Sequence, residues 1–373
     1  LRAQHVETYF RYPDDHGSFA QAAERSFGGG KCRSLGDQTM CPSFQATHEE
    51  MHSTRGRVHL LFEMMRGDHS KEAGARTGAR STRPLPAVQG CKHDCPVSID
   101  MATYKAEFLA HYYKGRLRQR VAYSMGLIMW WARLAMLAPG LVNLLLRTPG
   151  LGEALKTAAG FTTEREAPAF AAESFQNWFQ RQPKMTDGGR RPVVLWPDTF
   201  NNYFFPDTAK AAVRVLEAAG YRVSVPQAPL CCGRPLYDYG MFDLAKRHLL
   251  QIIEVLRPEI RAGVPIVGLE PSCLSVFRDE LRNMLPDDED AQRLACQSKT
   301  LSELLLATPG WKPPKLAAKA LVQTHCHHKA VLDPEKQHEM FEKIGLKLQP
   351  NPTGCCGHAG AFGYEAEHIT RCR

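Results

Sequence analysis

Residues 229–240 read PLCCGRPLYDYG, and residues 352–364 read PTGCCGHAGAFGY. Adjacent cysteines suit a hydrophobic core poorly, because their side chains diverge. They suit neighbouring metal atoms better. Paired thiolates on one sharp turn reach two sites at once, and Gly233 and Gly357 let the backbone turn tightly behind them. A lone zinc takes four ligands and gains little from adjacency, whereas iron–sulfur centres hold several irons on soft thiolates. Two further cysteines, Cys273 in LEPSC and Cys326 in THCHH, end strand-like runs as Cys231, Cys232, Cys355 and Cys356 do. Ligands in α/β sheets collect at such strand ends. These six cysteines are therefore the candidate metal ligands. A buried pair of thiols on a strained turn, a vicinal disulfide and a zinc site remain as alternatives. His325, His327, His328 and His358 lie beside these cysteines. Such histidines more often support a site than ligate it, and His327 is retained as the candidate ligand. Cys296, in RLACQSK, reads as a packed thiol on a helix.

The N-terminal cysteines follow another pattern. Residues 91–96, CKHDCP, are C-x3-C-P, the end of the ferredoxin run C-x2-C-x2-C-x3-C-P. Cys32 and Cys41 lie upstream, the second again followed by proline. Cys32, Cys41, Cys91 and Cys95 supply four thiolates, enough for one 4Fe-4S cluster and not for two. The stretch 70–90 is rich in Gly, Ala, Arg, Ser, Thr and Pro without hydrophobic period. Leu85–Gly90 can be encoded CTG CCT GCC GTG CAA GGN, which one base later reads Cys-Leu-Pro-Cys-Lys-Gly. That reading restores the full ferredoxin run, so 70–90 has the character of an out-of-frame segment.

These ligands need elements to position them. MATYKAEFLAHYYKGRL, opened by Pro96 and Asp100, carries helical spacing, and another helix is expected over about 46–65. Helices continue to about 180. Within them, GLIMWWARLAMLAPGLVNLLL at 126–146 is broken by Arg133 and by Pro139-Gly140. It reads as two buried or amphipathic helices, with surface contact to a membrane as the second reading. From 192 the pattern becomes α/β. PVVLW, a helix closed by Gly220, YRVSV and CCG recur as ALVQTHC, a helix, LKLQP and CCG, with PIVGLEPSC as one more strand between the copies. The expected architecture is α + α/β: a ferredoxin-type helical iron–sulfur domain over 1–120, a helical connector over 121–190 and tandem CCG cysteine-rich units over 191–373. The start at Leu1 and the end at Arg373, just as a helix opens, give the expectation of a fragment truncated at its C-terminus.

Composition narrows the class. The chain has 373 residues, a net charge of +8, 43% hydrophobic residues and 12 cysteines. That is too long and too sparse in cysteine for a secreted disulfide scaffold. Basic residues form no block interleaved with aromatics, which argues against nucleic acid. LRAQHVETYF has no basic stretch leading an apolar run. A cytoplasmic location follows as the expectation, with a position peripheral to the inner membrane face as its variant. GHAGAFG is not a dinucleotide fingerprint, GGGK is not a P-loop, and no catalytic residue is assigned.

Together the stretches RYPDDHGSFAQAAERS, GKCRSLGDQTMCPSFQATHEEMHSTRGR, CKHDCPVSIDMATYKAEFLAHYY, PLCCGRPLYDYG, LEPSCLSVFRDEL, THCHHKAV and GCCGHAGAFGYEAEH resemble the C-terminal iron–sulfur half of FAD-linked D-2-hydroxyacid dehydrogenases. That group includes the D-lactate dehydrogenase, glycolate oxidase and D-2-hydroxyglutarate dehydrogenase types. The resemblance implies a flavin domain upstream or in a partner, electrons relayed from its FAD, and a quinone or other acceptor. It matches Cys32, Cys41, Cys91 and Cys95 to ferredoxin-type ligands. The CCG cysteines, Cys273 and Cys326 match a metal site that holds zinc or a second iron–sulfur centre. Ser26, Leu85 and Val88 stand where the family pattern has cysteine, and Glu270 precedes Pro-Ser-Cys273 in the first unit. A non-redox zinc or docking module is the alternative expectation.

Overall fold

The computed structural model describes residues 7–35, 40–66, 78, 79, 81, 89–183, 188–350 and 360–368. Leu85, Val88, Cys355, Cys356 and His358 lie outside these described residues, as does nearly all of 70–90.

Short helices dominate the first half. The chain between Pro42 and Arg66 is not one helix, as expected over 46–65. It forms a turn of helix at Pro42–Thr47, a 3-10 turn at Glu50–His52, and only then α1 (Thr54–Arg66). His48, at φ +58, ends the first piece, a left-handed backbone that an α-helix cannot continue. Next come α2 (Gly90–Asp94), which carries Cys91 and ends at Cys95, and α3 (Met101–Tyr112). Asp100 caps α3 by accepting from the Thr103 N–H at 3.0 Å, as its position predicts. The apolar stretch is two helices, α4 (Ile128–Ala135) and α5 (Pro139–Arg147), bent by 109° at Pro139. Helix α6 (Leu151–Ala159) follows. Residues 161–174 contain no helix before Phe175–Gln180, so the helical stretch is less continuous than its composition predicts.

The mixed helix and parallel-sheet class holds from 191 onward. Strand β1 (Arg191–Leu195) leads through α7 (Pro206–Ala218) to β2 (Tyr221–Ser224). Helix α8 (Phe242–Arg261) then leads to β3 (Ile266–Gly268), which runs into the short α9 (Pro271–Ser275). Helix α10 (Glu289–Gln297) precedes β4 (Ser298–Thr300). These strands form one parallel sheet in the order β2-β1-β3-β4. Helices cover the sheet, so Val193, Val194 and Leu195 are all buried, as an apolar run predicts. A second parallel pair joins β5 (Ala318–Val322) to β6 (Leu346–Pro350) through α11 (Cys326–Val331) and α12 (Pro334–Lys343). Each sheet thus contains the strand–helix–strand unit that the repeated pattern predicts.

Cys296 departs from expectation. It lies on α10 but faces solvent, because the buried stripe of that helix is Ala291, Leu294 and Ala295.

One buried core runs from the N-terminal helices into the sheet. It includes Phe10, Tyr104, Val58, Trp196, Phe242 and Phe277, and also Cys32, Cys41, Cys91, Cys232 and Cys273. Helix α2 packs against α11, and α9 packs against α11. Lys92 of α2 reaches Asp279 at 2.5 Å, a few residues beyond Cys273. The two groups of cysteines are therefore carried by elements in direct contact.

Candidate metal centres

The first group forms around Thr54, the opening residue of α1. Cys41 sits at φ +54 before Pro42, and this left-handed turn directs the chain back toward α1. The Thr54 N–H donates to Cys41 Sγ at 2.9 Å, and Thr54 Oγ1 lies 2.7 Å from Cys41 Sγ and 3.1 Å from Cys91 Sγ. Cys41 is also within hydrogen-bond reach of Cys32. Three candidate ligands thus converge, all buried. Cys95 is half-buried against the same core, its N–H bonded to the Cys91 carbonyl at 3.0 Å. Ser26 lies just past a short helix, Phe19–Glu24, its N–H on the Ala23 carbonyl.

The protons are unevenly shared. The hydrogen bond with Cys41, then burial, pushes the Cys32 thiol up. The bond with Cys32 pulls Cys41 down, but contact with Cys91 and burial outweigh it, and Cys41 rises to about 12. Cys91 is lowered, first by Cys41, with Thr54 and the Arg57 guanidinium assisting against burial. Arg57 is fully buried and donates to the Ser81 carbonyl at 2.9 Å, to Ser43 Oγ at 2.9 Å and to the His52 carbonyl. A buried cation acting on Cys91 favours an anionic occupant. This donor set fits a thiolate-ligated iron centre.

The second group lines a cavity of about 320 Å³ at the ends of β1, β3 and β5. Cys231, Cys232, Cys273, Cys326 and His327 all face it, so the structure brings together every described candidate of this group. Gly233 takes φ +81 to start the helix Arg234–Asp238, which turns both cysteines inward. Its N–H lies 3.4 Å from Cys231 Sγ. Cys232 Sγ lies 2.9 Å from Cys273 Sγ. Ligands at about 2.3 Å around a tetrahedral metal stand roughly 3.8 Å apart, so an ion would spread this pair. His325, Cys326 and His327 hold their ligating atoms within 4.8 Å of one another. His328 is buried but does not line the cavity. Glu270 accepts from the Ser272 N–H at 3.1 Å and from Ser272 Oγ at 2.7 Å, so the acidic residue before Pro-Ser-Cys caps α9.

These thiols are protonated before any metal arrives. The hydrogen bond with Cys232 and burial push Cys231 well up. Cys232 is pulled down by Cys231, yet Cys273 and burial prevail and it also rises. Cys273, pulled down by Cys232, is driven up to about 11 by burial, Asp198 and Glu270. Burial holds His327 neutral, well below its usual range, which leaves one ring nitrogen with a lone pair free to ligate. Metal binding here must therefore release protons and strengthen as pH rises.

Sequence reasoning passes over Thr54, Arg57, Asp198 as a buried carboxyl, and Arg234. Arg234 lines the cavity, reaches Glu280 at 2.6 Å and donates to Ser275 Oγ at 2.9 Å. Its signal is its place directly behind CCG, where a cation faces the thiols. Asp198 accepts from the Phe200 and Asn201 N–H groups at 3.1 and 2.9 Å, and burial raises it to about 6 from 3.8. A carboxyl with a raised folded value takes up a proton on folding between these limits. Its ionisation therefore costs stability above about pH 6 and nothing below about pH 4. Asp198→Asn keeps the cap but loses the bond from the Asn201 side-chain amide. In the metal-free chain it is expected to gain about 1–2 kcal/mol at pH 7 and nothing at pH 4. Urea midpoints at the two pH values check this, and an equal gain at both would refute it.

Comparison with known proteins agrees with this geometry. Residues 198–278, which hold Cys231, Cys232 and Cys273, match the model of the CCG cysteine-rich domain. The chain is 25% identical to D-2-hydroxyglutarate dehydrogenase of Pseudomonas putida over 91% of its own length and 38% of the relative's. It is 25% identical to a subunit of the anaerobic glycerol-3-phosphate dehydrogenase of Escherichia coli, covering 61% of this chain and 59% of that one. It is 31% identical to lactate utilization protein A of Halalkalibacterium halodurans, covering 48% of this chain and 75% of that one. No solved structure matches. The chain belongs to the family of proteins built on the CCG cysteine-rich domain, to which lactate utilization protein A is similar. It spans little more than a third of the length of the D-2-hydroxyglutarate dehydrogenases it matches.

Proposed function

We propose that this chain is the electron-transfer portion of a flavin-dependent D-2-hydroxyacid dehydrogenase. The observation that carries the reading is one buried core that contains thiols of both groups, with α2, which carries Cys91, packed against α11, which carries Cys326. Iron–sulfur clusters bound there would supply one-electron steps between FAD outside this chain and a quinone or other acceptor. Cys32, Cys41, Cys91 and Cys95 would hold one 4Fe-4S cluster. Cys231, Cys232, Cys273, Cys326 and, outside the described residues, Cys355 and Cys356 would hold the second centre, with His327 beside them. The chain's own contribution is to gather these thiols, keep water from them and place Arg57 and Arg234 near the resulting negative charge. The similarity to whole dehydrogenases and to one part of a dehydrogenase complex supports this reading. The domain plan proposed with it is the helical iron–sulfur part over 1–120, the connector over 121–190 and the CCG units over 191–373.

The compact His325–Cys326–His327 set favours one alternative, since such a set also suits a single zinc ion. Metal analysis of anaerobically prepared protein separates the two. Iron with matching acid-labile sulfide is the expected result, and zinc without sulfide would overturn the proposal.

A further inference from the structure

Helices α4, α5 and α6 present an apolar surface that no described residue covers. Ten of the eighteen large apolar side chains exposed among the described residues fall between Leu117 and Leu155. Monomeric surfaces rarely concentrate apolar groups in this way without an interaction to serve. Helix α5 has no buried residue at all. Its one uncharged polar side chain faces the protein: Asn143 donates to the Phe170 carbonyl at 2.8 Å and accepts from the Phe170 N–H at 2.9 Å. This pair of bonds fixes the helix with its polar side inward. Leu141, Leu144 and Leu145, spaced i, i+3 and i+4, share a stripe turned outward, and Leu141 and Leu144 are 57% and 63% exposed. Leu137 in the bend before it is 82% exposed, and Leu151 and Leu155 continue the pattern on α6.

Charge indicates what covers this surface. From Lys114 to Gly152 the sequence contains six basic residues and no Asp or Glu. Of the six, Lys114, Arg116, Arg120, Arg133 and Arg147 are exposed. A second copy of the chain would bring these cations against their equivalents. No described helix is long and apolar enough to cross a membrane, and α4 and α5 meet at 109°. Leucines and tryptophan on one side of short helices, flanked by arginines and by a single acid, Glu153 of α6, match helices that lie in a lipid interface. We propose that α4–α6 dock this chain onto the surface of an anionic lipid bilayer. The leucines enter the boundary between headgroups and acyl chains, and the flanking cations meet lipid phosphates.

Vesicle flotation of the full chain tests the proposal. It is expected to float with vesicles of phosphatidylcholine and phosphatidylglycerol, and several-fold less with phosphatidylcholine alone or at high salt. L141E/L144E is expected to lose at least about tenfold in partitioning, with circular dichroism and retained metal unchanged. R133E/R147E, which leaves the leucines in place, is expected to lose the preference for the anionic vesicles. Three results would each overturn the proposal. The parent chain could fail to float with either vesicle. Both double variants could float as it does. Light scattering could show that the leucine variant only dissociates a dimer, with flotation unaltered.

Discussion

Cys273→Ala is expected to strip the metal from the strand-end cavity while leaving the parallel sheet intact. Cys273 Sγ lies 2.9 Å from Cys232 Sγ and reaches it from a different strand end. It closes the site over a sequence separation of 41 residues, which no local turn can do. Structural zinc sites with four ligands bind with roughly 10–16 kcal/mol, so each ligand accounts for about 3–4 kcal/mol, or ~10²–10³ in affinity. The side chain is small, and its neighbours Leu274, Val276 and Phe277 keep α9 and the segment after it packed. Removing one sulfur from the metal-free protein is expected to cost only about 1–2 kcal/mol. Metal per chain before and after a chelator challenge measures the first effect, and urea unfolding measures the second. Retention equal to the parent's would show that Cys273 is a core thiol and not a ligand.

Glu107→Leu is expected to destabilise the fold by about 3–5 kcal/mol. Glu107 lies on the inner face of α3 with no exposed surface. It accepts from the Tyr9 and Phe10 N–H groups at 3.0 and 3.3 Å and pairs with His111 Nε2 at 3.1 Å. Its two oxygens thus tie the segment 7–12 to a helix almost a hundred residues later. That segment inserts Phe10 edge-on against Phe242 at 5.1 Å and Tyr9 against the same ring at 5.0 Å. Leucine leaves the buried Phe10 N–H and the half-buried Tyr9 N–H without this partner, each costing about 1–3 kcal/mol. Glu107→Gln, which keeps one acceptor, is expected to cost about half as much. Denaturant midpoints check both, and a loss below about 1 kcal/mol for Leu would contradict this role.

Much of the sheet is legible because its strands are short apolar runs ending in punctuation. PVVLW, YRVSV, PIVG and ALV are of this kind, and all become parallel strands. Strand β4, SKT, carries no apolar residue and is not foreseen. Contacts from outside the strand hold it in place: Arg278 donates to the Ser298 carbonyl at 2.7 and 3.1 Å, and Thr300 forms a capping box with Glu303. Helix α8 is also passed over, although Phe242, Ala245, Leu249, Ile252 and Leu256 repeat at helical spacing with Pro258 near its end.

At the cysteine sites, residue type and spacing point to most of the candidate donors. Spacing alone does not indicate that Cys232 and Cys273 touch, since that contact depends on β2 and β3 flanking β1 in the sheet. Nor does it indicate Thr54 or Arg57, because a threonine at a helix start and an arginine three residues later look ordinary until the fold closes over them. Cys296 shows the opposite failure, since helical spacing gives a face only once the helix's partner is known.

The central claim is that these buried thiols hold redox-active iron. Electron paramagnetic resonance of anaerobically purified, dithionite-reduced protein tests it most directly. The account predicts a signal from a reduced iron–sulfur centre that Cys41→Ala, which removes the thiol between Cys32 and Cys91, weakens or abolishes. An iron-loaded protein that stays silent on reduction, or a signal that Cys41→Ala leaves unchanged, would contradict it.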